Sequence, residues 1–178
     1  FGDGAVSEGE FHESLNLASL WKLPVLFFLE NNLYGMGSHV ERTHAGGKDI
    51  YLMAEPYKIP AAQVDGMDLL AVREAVIEAL KKIRSGSGPV FLEAMTYRFR
   101  GHSVADPSVY RDSSEVDDWR LKDPIERFKA VTLEEGLIGI KQFELIDGEV
   151  AETIDEAMRF AEASPDPDID SLYDNLYA

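Results

Sequence analysis

Pro24-Val25-Leu26-Phe27-Phe28-Leu29-Glu30-Asn31-Asn32 decides the fold of this chain. Pro24 stops any helix arriving from upstream, and the apolar run behind it is strand-length and continuous enough to be buried on both faces. Strands of that kind belong to parallel sheets covered by helices, so the run predicts an α/β fold. In open parallel sheets ligands collect beyond the carboxyl ends of the strands. Glu30, Asn31 and Asn32 therefore mark a rim at which to look for a site.

Upstream, Gly2-Asp3-Gly4 sets a carboxylate between two glycines, a turn that lets a bulky anion approach the backbone without meeting a Cβ. Ser7 and Glu10 form a capping-box pattern, and Phe11, Leu15, Ala18 and Trp21 recur at helical spacing. Together they predict a helix of about three to four turns that begins just after Gly4. Its free N–H groups and positive dipole end would face the Asp3 turn, where a phosphate would sit. If Phe1 ends a neighbouring strand, Asp3 and Asn32 meet at one rim, with Tyr34-Gly35 directly behind. A carboxylate, an amide oxygen and a backbone carbonyl suit Mg²⁺, which takes few protein oxygens and completes a near-octahedral shell with phosphates.

Downstream the pattern repeats. Ala61 to Val64 is a short apolar segment that ends at the Asp65-Gly66 turn. Asp68 can cap a helix with Leu69, Val72, Val76, Leu80 and Ile83 on one face, and Ser85-Gly86-Ser87-Gly88 ends it. Pro89 to Thr96 then reads as another strand, so helices and strands alternate as in a parallel sheet. His102 follows that strand and is expected at the same rim as Asn32. From Ser103 to about Trp119 the sequence is polar and without period, which predicts a mobile loop. Asp123-Pro124 starts a short amphipathic helix with Ile125, Phe128 and Val131, interrupted at Gly136 to Gly139. A further helix carries Val150, Ile154, Ala157 or Met158, and Ala161, beginning near Asp147 and ending before Ser164-Pro165-Asp166-Pro167. The tail, with Leu172, Tyr173, Leu176 and Tyr177 among acids, could dock on a partner, and otherwise reads as a last helical turn packed on its own domain.

Composition bounds the function. The 178 residues, 45% hydrophobic, suffice for one domain with a real core, and no apolar run reaches the length of a membrane span. There is no cysteine, hence no disulfide, and no secretory signal is visible. The formal net charge is −16, and most of the acidic excess lies beyond residue 100. Nucleic acid and anionic membranes require a basic footprint, so neither is an expected partner. Between Glu93 and Asp106 there is no acid, which leaves Arg98, Arg100 and His102 locally positive.

Taken singly, Asp3 reads as a turn residue, Asn31-Asn32 as an Asx turn and His102 as a surface histidine. Their order and spacing change that. Gly2-Asp3-Gly4 with Asn31-Asn32 resembles the thiamine-diphosphate signature, and Glu30-Asn31-Asn32-Leu33-Tyr34-Gly35-Met36-Gly37 resembles the alpha chain of a 2-oxo acid dehydrogenase. Tyr97-Arg98-Phe99-Arg100-Gly101-His102-Ser103, continuing through Ala105-Asp106-Pro107 to Tyr110-Arg111, is similar to that family's active-site loop. The resemblance extends through Asp123-Pro124-Ile125 to the closing acidic helix and is nearest to the pyruvate dehydrogenase alpha chains.

The resemblance implies a three-layer thiamine-diphosphate-binding fold with a mainly parallel sheet. The chain would be a partial domain lacking its N-terminal part: residues 1–100 the α/β core, 101–121 the active-site loop, and 122–178 a helical C-terminal segment. It implies Mg²⁺ held by Asp3, Asn32 and the Tyr34 carbonyl. The Gly4 and Ala5 amides would face phosphate, and His102 would donate to phosphate and reach the reacting centre as the catalytic residue. The implied reaction is oxidative decarboxylation of pyruvate with acyl transfer to a lipoyl group on a partner acyltransferase. The cofactor-activating glutamate would come from a beta chain, in an assembly of two alpha and two beta chains.

Ser103 stands where mitochondrial relatives carry a regulatory phosphorylation serine. This chain is one residue shorter before Tyr110 and has Arg100 in place of a histidine of animal forms, features that point to a bacterial cytoplasm, with mitochondrial matrix or plastid stroma as alternatives. Alternatives in function are a branched-chain 2-oxo acid or acetoin dehydrogenase alpha chain and a non-catalytic assembly fragment. A Mg²⁺-dependent phosphohydrolase with Asp3 as nucleophile is a further one. His12, His39 and His44 lack a motif and are read as structural.

Overall fold

The computed structural model describes residues 1–176. From the N-terminus, a 3₁₀ turn over Asp3–Ser7 leads into helix α1 (Gly9–Leu20) and strand β1 (Leu26–Asn31). A short hairpin of β2 (Tyr34–Gly35) and β3 (Ser38–His39), one helical turn α2 (Val40–Thr43) and a 3₁₀ stretch over Ile50–Tyr57 come next. Strand β4 (Ala61–Asp65), helix α3 (Leu69–Arg84) and strand β5 (Val90–Met95) complete the sheet region. Helices α4 (Ser113–Arg120), α5 (Pro124–Glu134) and α6 (Ile140–Ala163) and a 3₁₀ turn over Ile169–Tyr173 follow.

The sheet is parallel, in the order β1-β5-β4, as the alternation of helix and strand requires. Its register sets Asn31 opposite Met95, and Asp65 opposite Met95 on the other side, so three chain segments leave the sheet at one edge. Phe1 and Gly2 run beside β1 through a parallel bridge between Gly2 and Glu30, with the Glu30 amide donating to the Phe1 carbonyl at 2.9 Å. Phe1 therefore lies beside β1 as expected, through an isolated bridge and not as the end of a strand.

Burial on both faces falls on β5, where Val90 to Ala94 are all buried, more than on β1, whose Leu26, Phe27 and Phe28 are half-buried. The central position of β5 accounts for this: it has a full strand on each side, whereas β1 has only the Gly2 bridge beyond it. Helix α1 packs Phe11, Leu15 and Ala18 inward, Leu15 completely, and a side chain of that size contributes about 1.5–3 kcal/mol on full burial. Phe11 and Leu15 join Val6, Leu29, Ile50, Phe91 and Tyr97 in one core cluster.

Several expectations need correction. The α1 helix does not begin after Gly4; Asp3–Ser7 is 3₁₀, and the N-cap is Glu8 with no side-chain cap bond, so the Ser7–Glu10 capping box does not form. Trp21 lies past the helix end and is exposed. Asp68 caps α3 as expected, accepting from the Leu70 and Ala71 amides at 3.0 Å. The buried residues of that helix are Ala79 and Ile83, while Leu69 is exposed. Part of the segment read as a loop is helical: Ser113–Arg120 is α4, with Val116 and Trp119 against the core.

Contact density divides the chain into two compact units, residues 1–130 and the residues from Val131 onward. In the second, α6 begins at Ile140, earlier than the Asp147 start expected, and ends at Ala163 before the proline-rich breaker. Leu172 and Tyr173 are exposed, so the packing expected of the tail is not seen; Tyr177 lies outside the described residues. Among the described residues no helix is long and apolar enough to cross a membrane.

Candidate active site

The carboxyl edge of the sheet brings the two sequence motifs together. Gly2 pairs beside Glu30, so the Asp3 turn lies next to the end of β1, and Asp3 Oδ1 accepts the Asn32 amide at 3.3 Å. Asn32 Oδ1 in turn accepts the Tyr34 amide at 3.1 Å, an Asx turn that folds the chain back into the β2–β3 hairpin. Gly4 and Gly35 face each other across this junction. A Cβ built on Gly35 would lie 3.1 Å from Gly4 Cα, so the two backbones approach as closely as glycine allows.

Asp3, Gly4, Ala5, Asn32, Tyr34, Arg98 and His102 all line one cavity of about 450 Å³, a size within the usual range for a small-molecule site. The structure thus gathers every sequence-proposed site residue in one place. The Ala5 amide differs from expectation: it donates to the Gly2 carbonyl at 3.1 Å and is already engaged.

Asp3 is 3% exposed. Burial pushes its carboxyl above the ordinary value, opposed by bonds from the Asp3 and Asn32 backbone amides and, at longer range, by the charges of Arg98 and His44. A raised carboxyl pKa means that the folded chain holds the proton more tightly than the unfolded chain. Stability from this group therefore falls as pH rises from 3.8 through the folded value. A bound cation would reverse that sign, because it stabilises the ionised form.

The donor chemistry fits Mg²⁺. Among the described residues no three His, Cys, Asp or Glu side chains cluster for metal binding, which argues against a zinc-type set. One carboxylate, one amide oxygen and one backbone carbonyl are what Mg²⁺ accepts when phosphates supply the rest. The Tyr34 carbonyl receives Arg98 Nη1 at 3.1 Å, which leaves its second lone pair unassigned.

Arg98 also donates from Nη2 to the Met36 carbonyl at 2.7 Å and to Tyr110 Oη at 2.8 Å. It therefore ties the turn bearing Tyr34 to the loop bearing His102. Within that loop Asp106 Oδ2 accepts the His102 amide and the Tyr110 hydroxyl, each at 2.7 Å, and Oδ1 accepts the Ser108 amide at 2.8 Å. These bonds, Tyr110 first, lower the Asp106 pKa to about 2. Arg111 lies over the rings of Tyr34, Tyr97 and Tyr110 and donates to the Arg98, Phe99 and Arg100 carbonyls, so the segment is held at both ends. Tyr34 Oη donates to Glu115 of α4 at 2.8 Å, and burial followed by that carboxylate raises the tyrosine pKa.

Sequence reasoning included Asp106, Tyr110 and Arg111 in the active-site-loop resemblance without giving them a role, and it passed over Glu115. Their signal lay in the polar, aperiodic stretch set aside as loop. Of the other histidines, His12 contacts Tyr57 Oη at 3.0 Å, and His39 caps α2 by accepting the Glu41 amide, roles that fit a structural reading. His44 is nearer the chemistry than its lack of motif suggested, since its charge bears on Asp3.

A profile of the dehydrogenase E1 component family matches residues 1–170. The chain belongs to that family. This E1 chain is 44% identical over 177 residues to a Rhizobium meliloti protein named pyruvate dehydrogenase E1 component subunit alpha, covering 99% of this chain and 51% of the relative. It is 43% identical over 180 residues to the human somatic mitochondrial form of that subunit, covering all of this chain and 45% of the relative. A chloroplastic form from Arabidopsis thaliana is 41% identical over 179 residues, covering all of this chain and 41% of the relative. The E1 chain thus spans about half the length of the curated relatives it matches.

Proposed function

We propose that this E1 chain is part of the alpha subunit of a pyruvate dehydrogenase first component, holding thiamine diphosphate and Mg²⁺ and acting with a beta chain and a lipoyl-bearing acyltransferase. The observation that carries the reading is the convergence of Asp3, Asn32, Tyr34 and His102 on one cavity, in a chain of the E1 family. When bound, thiamine diphosphate supplies the electron sink for decarboxylation of a 2-oxo acid.

The chain's own residues bind, orient and neutralise. Asp3 and Asn32 offer side-chain oxygens and Tyr34 a carbonyl to the cation. Gly4 and Gly35 let the Asp3 turn and the Tyr34 turn close on each other, and Arg98 adds positive charge at the wall. His102 is exposed on a loop that Asp106 and Arg111 hold, and it lines the cavity, where it can donate a hydrogen bond to phosphate or hold a proton near the substrate carbonyl.

The test is turnover of pyruvate by the protein assembled with its beta chain. Activity is expected only with thiamine diphosphate and Mg²⁺, and Asp3→Ala is expected to abolish both turnover and Mg²⁺ binding. Turnover persisting in Asp3→Ala would overturn the reading. Phosphate release without any cofactor would favour the phosphohydrolase alternative.

A further inference from the structure

Two side chains one layer behind the cavity are fully buried and polar: Asn31, the last residue of β1, and Glu93, in the middle of β5. They face each other, and Asn31 Nδ2 donates to Glu93 Oε1 at 2.7 Å. The other carboxylate oxygen, Oε2, accepts the Tyr51 amide at 3.0 Å and Gln63 Nε2 at 3.2 Å. Among the described residues no lysine, arginine or histidine forms an ion pair with Glu93. An unpaired carboxylate in a central strand is costly to bury, and it persists only when donors satisfy it. Here the donors approach from both sides, a demand that an acceptor-only group meets and an amide does not.

The consequence reaches the cavity through Asn31. With Nδ2 fixed by Glu93, Oδ1 faces forward and accepts the Leu33 amide at 3.1 Å. That bond supports Leu33 at φ 71, a left-handed conformation that non-glycine residues rarely adopt. The left-handed residue reverses the chain between Asn32 and Tyr34. It thereby sets the direction of the Asn32 side chain and of the Tyr34 carbonyl relative to Asp3.

We propose that Glu93 is a positioning residue for the Asn31–Tyr34 turn, acting through the Asn31 side chain to aim the cation-binding oxygens. The metal part of this statement rests on the proposed function above. The turn geometry is a property of the metal-free chain and can be measured by itself.

Glu93→Gln tests it. One end of the new amide must present N–H groups to a donor, either Asn31 Nδ2 or the Tyr51 and Gln63 pair. In the protein assembled with its beta chain, calorimetric titration with Mg²⁺ in the presence of thiamine diphosphate is expected to show affinity lowered roughly 10- to 100-fold, the usual effect of losing a support behind a metal ligand. Without metal, hydrogen exchange at the Leu33 amide is expected to speed up. The exchanged pair, Asn31→Asp with Glu93→Gln, reverses donor and acceptor. The new carboxylate at position 31 can accept both the new side-chain amide at position 93 and the Leu33 N–H, while the oxygen of that amide keeps Tyr51 and Gln63. The pair is expected to recover most of both losses, whereas Asn31→Asp alone, with two facing carboxylates, is expected to lose both. Gln63→Ala removes a Glu93 partner without touching Asn31 and is expected to leave Mg²⁺ affinity unchanged.

A Glu93→Gln protein with a lower unfolding temperature but unchanged Leu33 exchange and Mg²⁺ affinity would overturn the inference, as would an exchanged pair that recovers nothing. If the unaltered protein binds no Mg²⁺ with the cofactor, the proposed function fails, and Leu33 exchange still decides whether Glu93 sets the turn.

Discussion

Replacing Gly35 with alanine isolates the contact that brings the two motifs together. Its Cβ would sit 3.1 Å from Gly4 Cα and 3.6 Å from Gly4 N, and both are backbone atoms that cannot swing aside as a side chain would. At that spacing the turns must part by a few tenths of an ångström. Mg²⁺ holds oxygens at about 2.0–2.1 Å with little tolerance, and distances more than about 0.2 Å off cease to describe a working site. Because Tyr34 precedes Gly35 and Asp3 precedes Gly4, the parting falls on two of the three residues proposed to hold the cation. Mg²⁺ affinity in the presence of thiamine diphosphate is therefore expected to drop by roughly 10- to 100-fold, as for loss of a support behind a metal ligand. Overpacking of this kind costs about 1–3 kcal/mol, which for a chain of this size lowers the unfolding midpoint by about 2–4 °C per kcal/mol. Isothermal titration and thermal unfolding of the metal-free protein measure the two effects separately. A Gly35→Ala protein that binds Mg²⁺ as tightly as the unaltered one would refute the argument that this glycine contact sets the ligand geometry.

Asp106→Asn is expected to loosen the loop that carries His102, because a single amide oxygen replaces a carboxylate that now accepts from His102, Ser108 and Tyr110; faster tryptic cleavage at Arg100 would show it. In the unaltered chain the same loop has a pH signature. The Asp106 pKa falls from an ordinary 3.8 to about 2 on folding, so its contribution is present above 3.8 and is lost as pH falls toward 2, which the His102 amide chemical shift follows. The Asp106→Asn protein is expected to lack that titration. Gly148→Ala, inside α6 with nothing within 4 Å of the new Cβ, is expected to stabilise that helix by about 0.8–1.0 kcal/mol; unchanged or lower stability in chemical denaturation would contradict this.

The parallel sheet was legible because its signals are local. Pro24 before an apolar run, Asp68 at a helix start and Ser85-Gly86-Ser87-Gly88 at its end each act through neighbouring residues. The convergence of Asp3, Asn32 and His102 on one cavity was legible for a different reason: they follow segments whose parallel pairing brings them to one edge. What stayed hidden depends on partners far along the chain. The Ser7–Glu10 pattern satisfied the capping rule, yet residues 3–7 tighten into 3₁₀, with Asp3 and Val6 buried. Helix α4 was hidden because Val116 and Trp119 are its only large apolar residues. Its place comes from Tyr34 Oη on Glu115 and from Tyr97 stacked on Trp119 at 5.2 Å, contacts with no sequence period. The hairpin at Tyr34–His39 was missed because Leu33 and Met36 take positive φ without being glycine, against their local preference.

Those two left-handed residues bear on why the site stands where it does. A turn that strains Leu33 and Met36 persists only if its surroundings over-determine it, and each side of this one is held. Asn31 and Glu93 hold it from inside the sheet, Arg98 holds the Tyr34 and Met36 carbonyls from the outgoing end of β5, and Gly4 meets Gly35 from the Asp3 side. All three restraints originate on segments that the parallel register places beside one another at the carboxyl edge. An antiparallel pairing of β1 with β5 would send residues 96–102 away from residues 32–37, and neither Arg98 nor His102 could reach the cavity. The parallel polarity of β1 and β5 is thus also what allows a histidine loop and a carboxylate turn, distant in sequence, to line one cavity.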